Sequence, residues 1–158
     1  MIVAGTPNGD RDLDSESFFA LPAEAGYANI VHATTIGLDG NPTPFTAYSS
    51  SRTSVDIAGP MPAYTLYNTV LPENQPQVLA EEVGKDFLGS SAVAPQISGT
   101  IGLMFAMQPL LQTESPQTII ELLLGNGASV HGKLADGITC GCRLDALRAV
   151  TAAAAFQP

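Results

Sequence analysis

The chain has 158 residues, enough for one domain with a sizeable core. Its formal net charge is -9 with six basic residues scattered along it, so no basic patch exists to grip nucleic acid, and no apolar run is long enough to span a bilayer. Only 13% of residues are charged, against roughly 25% in an ordinary globular domain, which leaves little polar surface to solvate an isolated fold.

Residues 1–5, MIVAG, form an apolar run stopped by Thr6, Pro7, Asn8 and Gly9. This predicts a buried strand running into a loop, and shows neither the basic n-region nor the h-region of an export signal. By residue type alone Asn8-Gly9 is a turn. The next stretch, GDRDLDSES, spaces Asp10, Asp12 and Asp14 like the first half of a calcium loop. It lacks the glycine and closing glutamate such a loop needs, so a solvated acidic loop is the expectation. Residues 29–36, NIVHATTI, read as a second buried strand with His32 inside it, a satisfied core histidine rather than a catalytic one. Leu38-Asp39-Gly40-Asn41 is a turn between extended pieces. Residues 61–87 are rich in proline and acidic breaks and read as a surface insertion with one short helix at 77–83.

Residues 88–107, LGSSAVAPQISGTIGLMFAM, join a tight polar turn to the most apolar helix-length run of the chain. Gly89 and Ser90 form the turn, Ser91 can cap exposed amides, and Pro95 falls early enough to be tolerated in the first turn. No residue of the run carries charge, which predicts a central, buried helix that presents a serine nucleophile at its start. Ser115 and Pro116 are the cap and first position of another helix, packed by Ile119, Ile120, Leu122 and Leu123 and ended by Gly125. Residues 141–150 open a last helix laid against the sheet. Cys140 and Cys142 are separated by one glycine, so a mutual bridge would close a small, strained ring; a buried thiol pair, or a partner outside this chain, is expected instead. No internal repeat or linker suggests a second domain.

Several of these segments resemble the subtilase family, the subtilisin-like serine peptidases. The family's active-serine pattern, roughly G-T-S-M-A-x-P-H-V-x-G, stands here as G-S-S-A-V-A-P-Q-I-S-G, with Gly89, Ser91, Ala94, Pro95 and Gly99 matching and Ser90, Ala92, Val93 and Gln96 departing. I-V-A-G-T-P-N is similar to the strand V-V-A-A-A-G-N that ends on the family's oxyanion asparagine and places Asn8 there. Phe45, Tyr48, Val55, Asp56, Ile57, Ala58 and Pro60 follow F-S-x-Y-G-x-x-x-V-D-I-A-A-P-G, which separates the subtilases from the neighbouring sedolisins; Asp56 falls on a strand the family uses structurally.

The resemblance implies a three-layer α/β/α fold with a mostly parallel sheet, of which residues 1–158 are the C-terminal portion of one peptidase domain. It implies a serine endopeptidase with Ser91 as nucleophile and Asn8 in the oxyanion hole. It also places Ala4, Gly5 and Thr6 in the wall of the pocket for the residue before the cleaved bond, and calls for no metal or cofactor. Its partners are a peptide or protein substrate, with no nucleic acid or membrane, and the family suggests secretion. The family's D-[ST]-G aspartate and H-G-T-H histidine lie upstream of the oxyanion strand and are absent from this sequence. A missing N-terminal half is therefore expected to supply them, and the isolated chain to be inactive. His131 and Asp136 would form a triad with Ser91 only in a new order. The alternative is a non-catalytic, subtilase-derived module that binds peptides or a partner chain.

Overall fold

A computed structural model describes residues 1–15, 27–66, 83–130 and 132–157. The central strand is β3 (Ile30–Gly37), flanked in parallel by β1 (Ile2–Gly5) and β5 (Ile57–Met61) in the registers Ala4↔His32 and Ala33↔Ile57. Beyond β5 lies β9 (Cys142–Arg143), joined through the single parallel pair Ala58↔Arg143, and β8 (Ala128–Ser129) closes that side antiparallel. The sheet order is thus β1-β3-β5-β9-β8. The six inner residues of β3 are all buried, as expected of a parallel strand covered on both faces.

Alternation along the strands sorts the core into two clusters. Val31, Ala33 and Ile57 point to one face. There they meet Val93, Ile97, Ile101 and Met104 of α1 (Ser90–Met107), Ile119 and Leu123 of α2 (Pro116–Gly125), and Ala149 and Ala153 of α4 (Ala146–Ala155). Ile36 and Ala58 point to the other face and pack with Leu13, Val55, Val130, Ile138 and Leu134 of α3 (Lys133–Gly137). The result is the three-layer α/β/α arrangement with a mostly parallel sheet that the family resemblance implies.

Gly59 sets how closely α1 approaches, because a Cβ there would overlap the Val93 side chain. Gln96 adds a polar tie, its Nε2 donating to the Pro60 carbonyl at 3.1 Å and to that of Ala92 at 2.9 Å. The helix is not buried all round. Ser98, Gly99, Gly102, Leu103, Ala106 and Met107 lie on an exposed strip, with Leu103 and Met107 each 56% accessible. Pro95 sits inside the helix in its second turn rather than its first, on the exposed side near Ser91. β1 is likewise an edge strand, not a buried one: Ile2 is 55% exposed, and among the described residues no strand pairs along its outer side.

The second helix forms as its sequence dictates. Ser115 Oγ accepts from Thr118 N at 3.2 Å, Pro116 occupies the first turn, and Gly125 is the last helical residue. The last helix is capped by Asp145, whose Oδ1 accepts from Arg148 N, and packs chiefly on α1 rather than directly on the sheet. The turn at 38–41 is present, with Gly40 at φ 83° and Asp39 accepting from Asn41 N. Most of the helix predicted at 77–83 lies outside the described residues. Val83 itself opens β7 (Val83–Phe87), which pairs antiparallel with β6 (Ala63–Leu66). Cys140 and Cys142 are bridged to each other, contrary to expectation: Gly141, at φ 55°, folds the backbone back so that the two Cα atoms lie 5.0 Å apart, within disulfide range.

The acidic loop has a structural use. β2 (Arg11–Asp12) pairs with β4 (Ala47–Tyr48), and Asp14 beyond it accepts from Ser51 N, Ser49 Oγ, Ser50 Oγ and Ser54 Oγ. Asp12 Oδ1 accepts from Ser50 N at 3.1 Å. Partial burial pushes the Asp14 pKa up, but the bonds from the Ser51 backbone and the Ser49, Ser51 and Ser50 hydroxyls outweigh it and hold the carboxyl below its usual value.

Two outcomes are expected. Gly59→Ala should destabilise the fold by about 1–3 kcal/mol in urea titration, and Val93→Ala in the same background should recover part of the loss; a neutral Gly59→Ala would contradict the close approach. A carboxyl with a depressed folded-state pKa stabilises the fold above its unfolded pKa of about 3.9, and that stability is lost as pH falls through the folded value. Asp14→Asn should therefore flatten the acid limb of a stability-against-pH curve, and an unaltered limb would show that the serine loop does not hold the charge.

Candidate active site

The site forms where the end of β1 meets the start of α1. Gly89 takes φ 80°, and a side chain there would run into the Asn8 carboxamide, with a Cβ 2.6 Å from Nδ2. The turn lets the next residue reach back. Ser90 is buried, its Oγ donating to the Thr6 carbonyl at 2.5 Å, while its backbone N–H donates to Asn8 Oδ1 at 2.9 Å. Gly5 leaves room for this hydroxyl, since a Cβ there would stand 2.7 Å from it. A backbone N–H can only donate, so it identifies the Asn8 atom facing it as the oxygen and turns Nδ2 the other way. Among the described residues Nδ2 has no acceptor.

Ser91 follows at the second helical position, exposed, where the first helical amides have no intrahelical carbonyl. The Ser90 amide is taken by Asn8 and that of Ala92 by the Gly89 carbonyl. The Ser91 N–H lies between them without an acceptor among the described residues. Ser91 is not a cap, because the cap position belongs to Gly89, which makes no side-chain bond to the helix. A hydroxyl, a free helix-start amide and an outward carboxamide NH2 are therefore gathered at one exposed corner. That combination can bind and stabilise an oxygen anion.

The structure places the other candidates as follows. Ala4, Gly5 and Thr6 run up to this corner along β1; Thr6 is buried, its amide donates to the Ala33 carbonyl at 2.9 Å, and its hydroxyl has no partner among the described residues. His32 does not join them. Its neighbours Val31 and Ala33 face α1, so its own side chain points to the opposite face of the sheet. There Asp56 Oδ2 accepts from His32 N at 2.7 Å and lies 3.4 Å from Nδ1, while Nε2 is buried without a partner among the described residues. His32 is thus a core histidine satisfied at one nitrogen only, and Asp56 acts structurally on it. His131 lies outside the described residues. Ser90 was visible in the sequence only as a replacement for threonine; its hydroxyl in that position was the available signal for the anchoring role.

No family model matches the sequence, and no curated protein matches it. Solved structures do. A structure of subtilase cytotoxin SubAB superposes with a TM-score of 0.71 at 17% identity, over 98% of this chain and 49% of the other. The epidermin leader peptide processing serine protease EpiP from Staphylococcus aureus gives 0.69 at 19% identity, over 100% and 41%. The prenylagaramide maturation protease PagA gives 0.63 at 17% identity, over 99% and 51%.

Asn8→Ala should lower stability by about 1–2 kcal/mol, because the Ser90 amide loses its acceptor. Asn8→Asp, which keeps an acceptor oxygen, should retain most of it; equal losses in thermal or urea unfolding would contradict the bond. At identities below 20% these matches speak to architecture: the chain has a subtilisin-like, protease-type fold and spans about half the length of the structures it matches.

Proposed function

We propose that this chain is the serine-bearing part of a subtilisin-like serine endopeptidase, with Ser91 as nucleophile and Asn8 as oxyanion donor. The observation that carries the reading is the Asn8 to Ser90 hydrogen bond at 2.9 Å. It ties two residues 82 positions apart into one corner and aims the carboxamide NH2 away from the helix backbone, beside an exposed Ser91. In this reading Ser91 Oγ attacks the carbonyl carbon of a peptide bond and gives its proton to a general base. The oxyanion that forms is held by Asn8 Nδ2 and the Ser91 N–H, and the amine leaves as the acyl-enzyme forms. Ala4, Gly5 and Thr6 line the approach for the residue before the cleaved bond. The base and its orienting acid come from a histidine and an aspartate on a segment outside this sequence. That segment packs against the outer edge of β1 and the exposed, mostly apolar strip of α1, which no described residue covers. The half-length coverage of the matched structures supports this division.

The 158-residue chain alone should therefore show no enzyme-like peptide turnover, only the roughly 10³- to 10⁴-fold residual over water that binding and an oxyanion site supply. Mixed with a subtilase N-terminal half that carries the aspartate and histidine, it should react with a fluorophosphonate at Ser91. In that complex Asn8→Ala should slow hydrolysis on the order of 10²- to 10³-fold with substrate binding nearly intact. Turnover by the chain alone, abolished by Ser91→Ala, would overturn the missing-base reading. A stable complex that leaves Ser91 unlabelled would hand the chain to a binding role.

A further inference from the structure

A cavity of about 250 Å³ opens beside the start of β3, between α2 and the His32–Asp56 pair. Its walls combine the side chains of Ile30, Ile120 and Leu124 with Tyr27 at the lip, 62% exposed, and with the polar pair His32 and Asp56. The pair is rigid. Asp56 N donates to the His32 carbonyl at 2.9 Å while His32 N donates to Asp56 Oδ2 at 2.7 Å, so each residue fixes the other's backbone and the carboxylate's orientation. With a carboxylate oxygen 3.4 Å from Nδ1, the imidazole hydrogen belongs on Nδ1 and the lone pair on Nε2.

Two acceptors are then left over. His32 is 8% exposed and its Nε2 has no partner, and Asp56 Oδ1 has none among the described residues. A buried acceptor without a donor costs on the order of 1–3 kcal/mol. Among the described residues no lysine or arginine lines the cavity to relieve it. Thr53, Gln117 and Thr139 complete the wall, the Gln117 amide hydrogens turned to Glu121 and the Thr139 hydroxyl to the Arg52 and Val55 carbonyls. A carboxylate end, apolar side walls and an aromatic lip then define the complementary ligand: a cationic donor group on an alkyl chain.

We propose that this cavity binds a primary ammonium or guanidinium group carried on an alkyl stem, its head on Asp56 and His32, its methylenes against Ile30, Ile120 and Leu124. The site is independent of the proteolytic reading and stands if Ser91 proves inert. The same chemistry could arrive as a free alkylamine or as a lysine side chain of another protein.

The test is the imidazole ¹H–¹⁵N spectrum of the 158-residue chain, titrated at constant ionic strength with n-butylammonium chloride, with 1-butanol as the neutral isostere and sodium butyrate as the anion. The expected result is a saturable shift of the His32 nitrogens by n-butylammonium alone, with a midpoint in roughly the millimolar range for so small a ligand. Tyr27→Ala, at an exposed lip where folding is not at stake, should weaken it about two- to fivefold through loss of the aromatic contact with the alkyl stem. Asp56→Asn should abolish it. A Gly-Gly-Lys-Gly-Gly peptide that gives the same shift, while its norleucine counterpart does not, identifies a protein side chain as a ligand the mouth admits. A response to butylammonium without one to the peptide restricts the site to free amines. An unmoved His32 resonance, equal shifts with butanol, or a folded Asp56→Asn protein that shifts like the wild type would each overturn the proposal. Should Asp56→Asn fail to fold, an unweakened Tyr27→Ala does so.

Discussion

The position of α1 against the end of β1 is the constraint from which the rest of the site follows. An 18-residue helix without a charge can slide or rotate on an apolar sheet at little cost, because hydrophobic contact is not directional. Three contacts remove that freedom here. Gly59 accepts Val93 into the sheet surface, Gln96 donates to the β5 backbone, and Ser90 is held at the top by the Thr6 carbonyl and the Asn8 carboxamide. With the first residue of the helix pinned inward, the 100° turn per residue throws Ser91 outward. Its exposure is a geometric result of the burial of Ser90.

The same contacts explain which glycines the sequence cannot exchange. Gly5 and Gly89 lie on either side of the Ser90 anchor, and a methyl group on one would meet its hydroxyl and on the other would meet Asn8. Only Gly89 also needs the left-handed backbone. One glycine is therefore fixed by space alone and the other by space and conformation together.

How much was legible in the sequence depended on whether the signal was local. α2 could be read in full, since its cap, its leading proline and its apolar spacing all lie within the helix. The existence of α1 was equally plain, but its start was set too late, with Ser90 in the turn and Ser91 as cap where the helix begins at Ser90 behind Gly89. Its half-exposure was not plain, because burial depends on what packs beside an element, and so apolar α1 and β1 were both expected to be covered. The fit of Ser91 and Asn8 to one corner was reached only by resemblance; nothing between positions 8 and 91 encodes their meeting until β1, β3 and β5 are laid side by side. The disulfide was misjudged because two cysteines flanking any residue but glycine would rarely curl into bridging range, and the left-handed turn of Gly141 was the feature left out. Asp14 was read as solvated acid because its four serine partners lie more than thirty positions away.

The lack of charge along α1 has a further consequence at its first turn. Neither an acidic residue near its start nor a basic one near its end offsets the partial charges that its aligned peptide dipoles leave there. The partial positive charge of a helix start, up to roughly half an elementary charge, is therefore met at the end where Ser91 stands, among the described residues, only by the Asn8 and Gly89 oxygens. In a chain of net charge -9, that partial charge comes from backbone alone, without a lysine or arginine in the helix that could be titrated, modified or swung away.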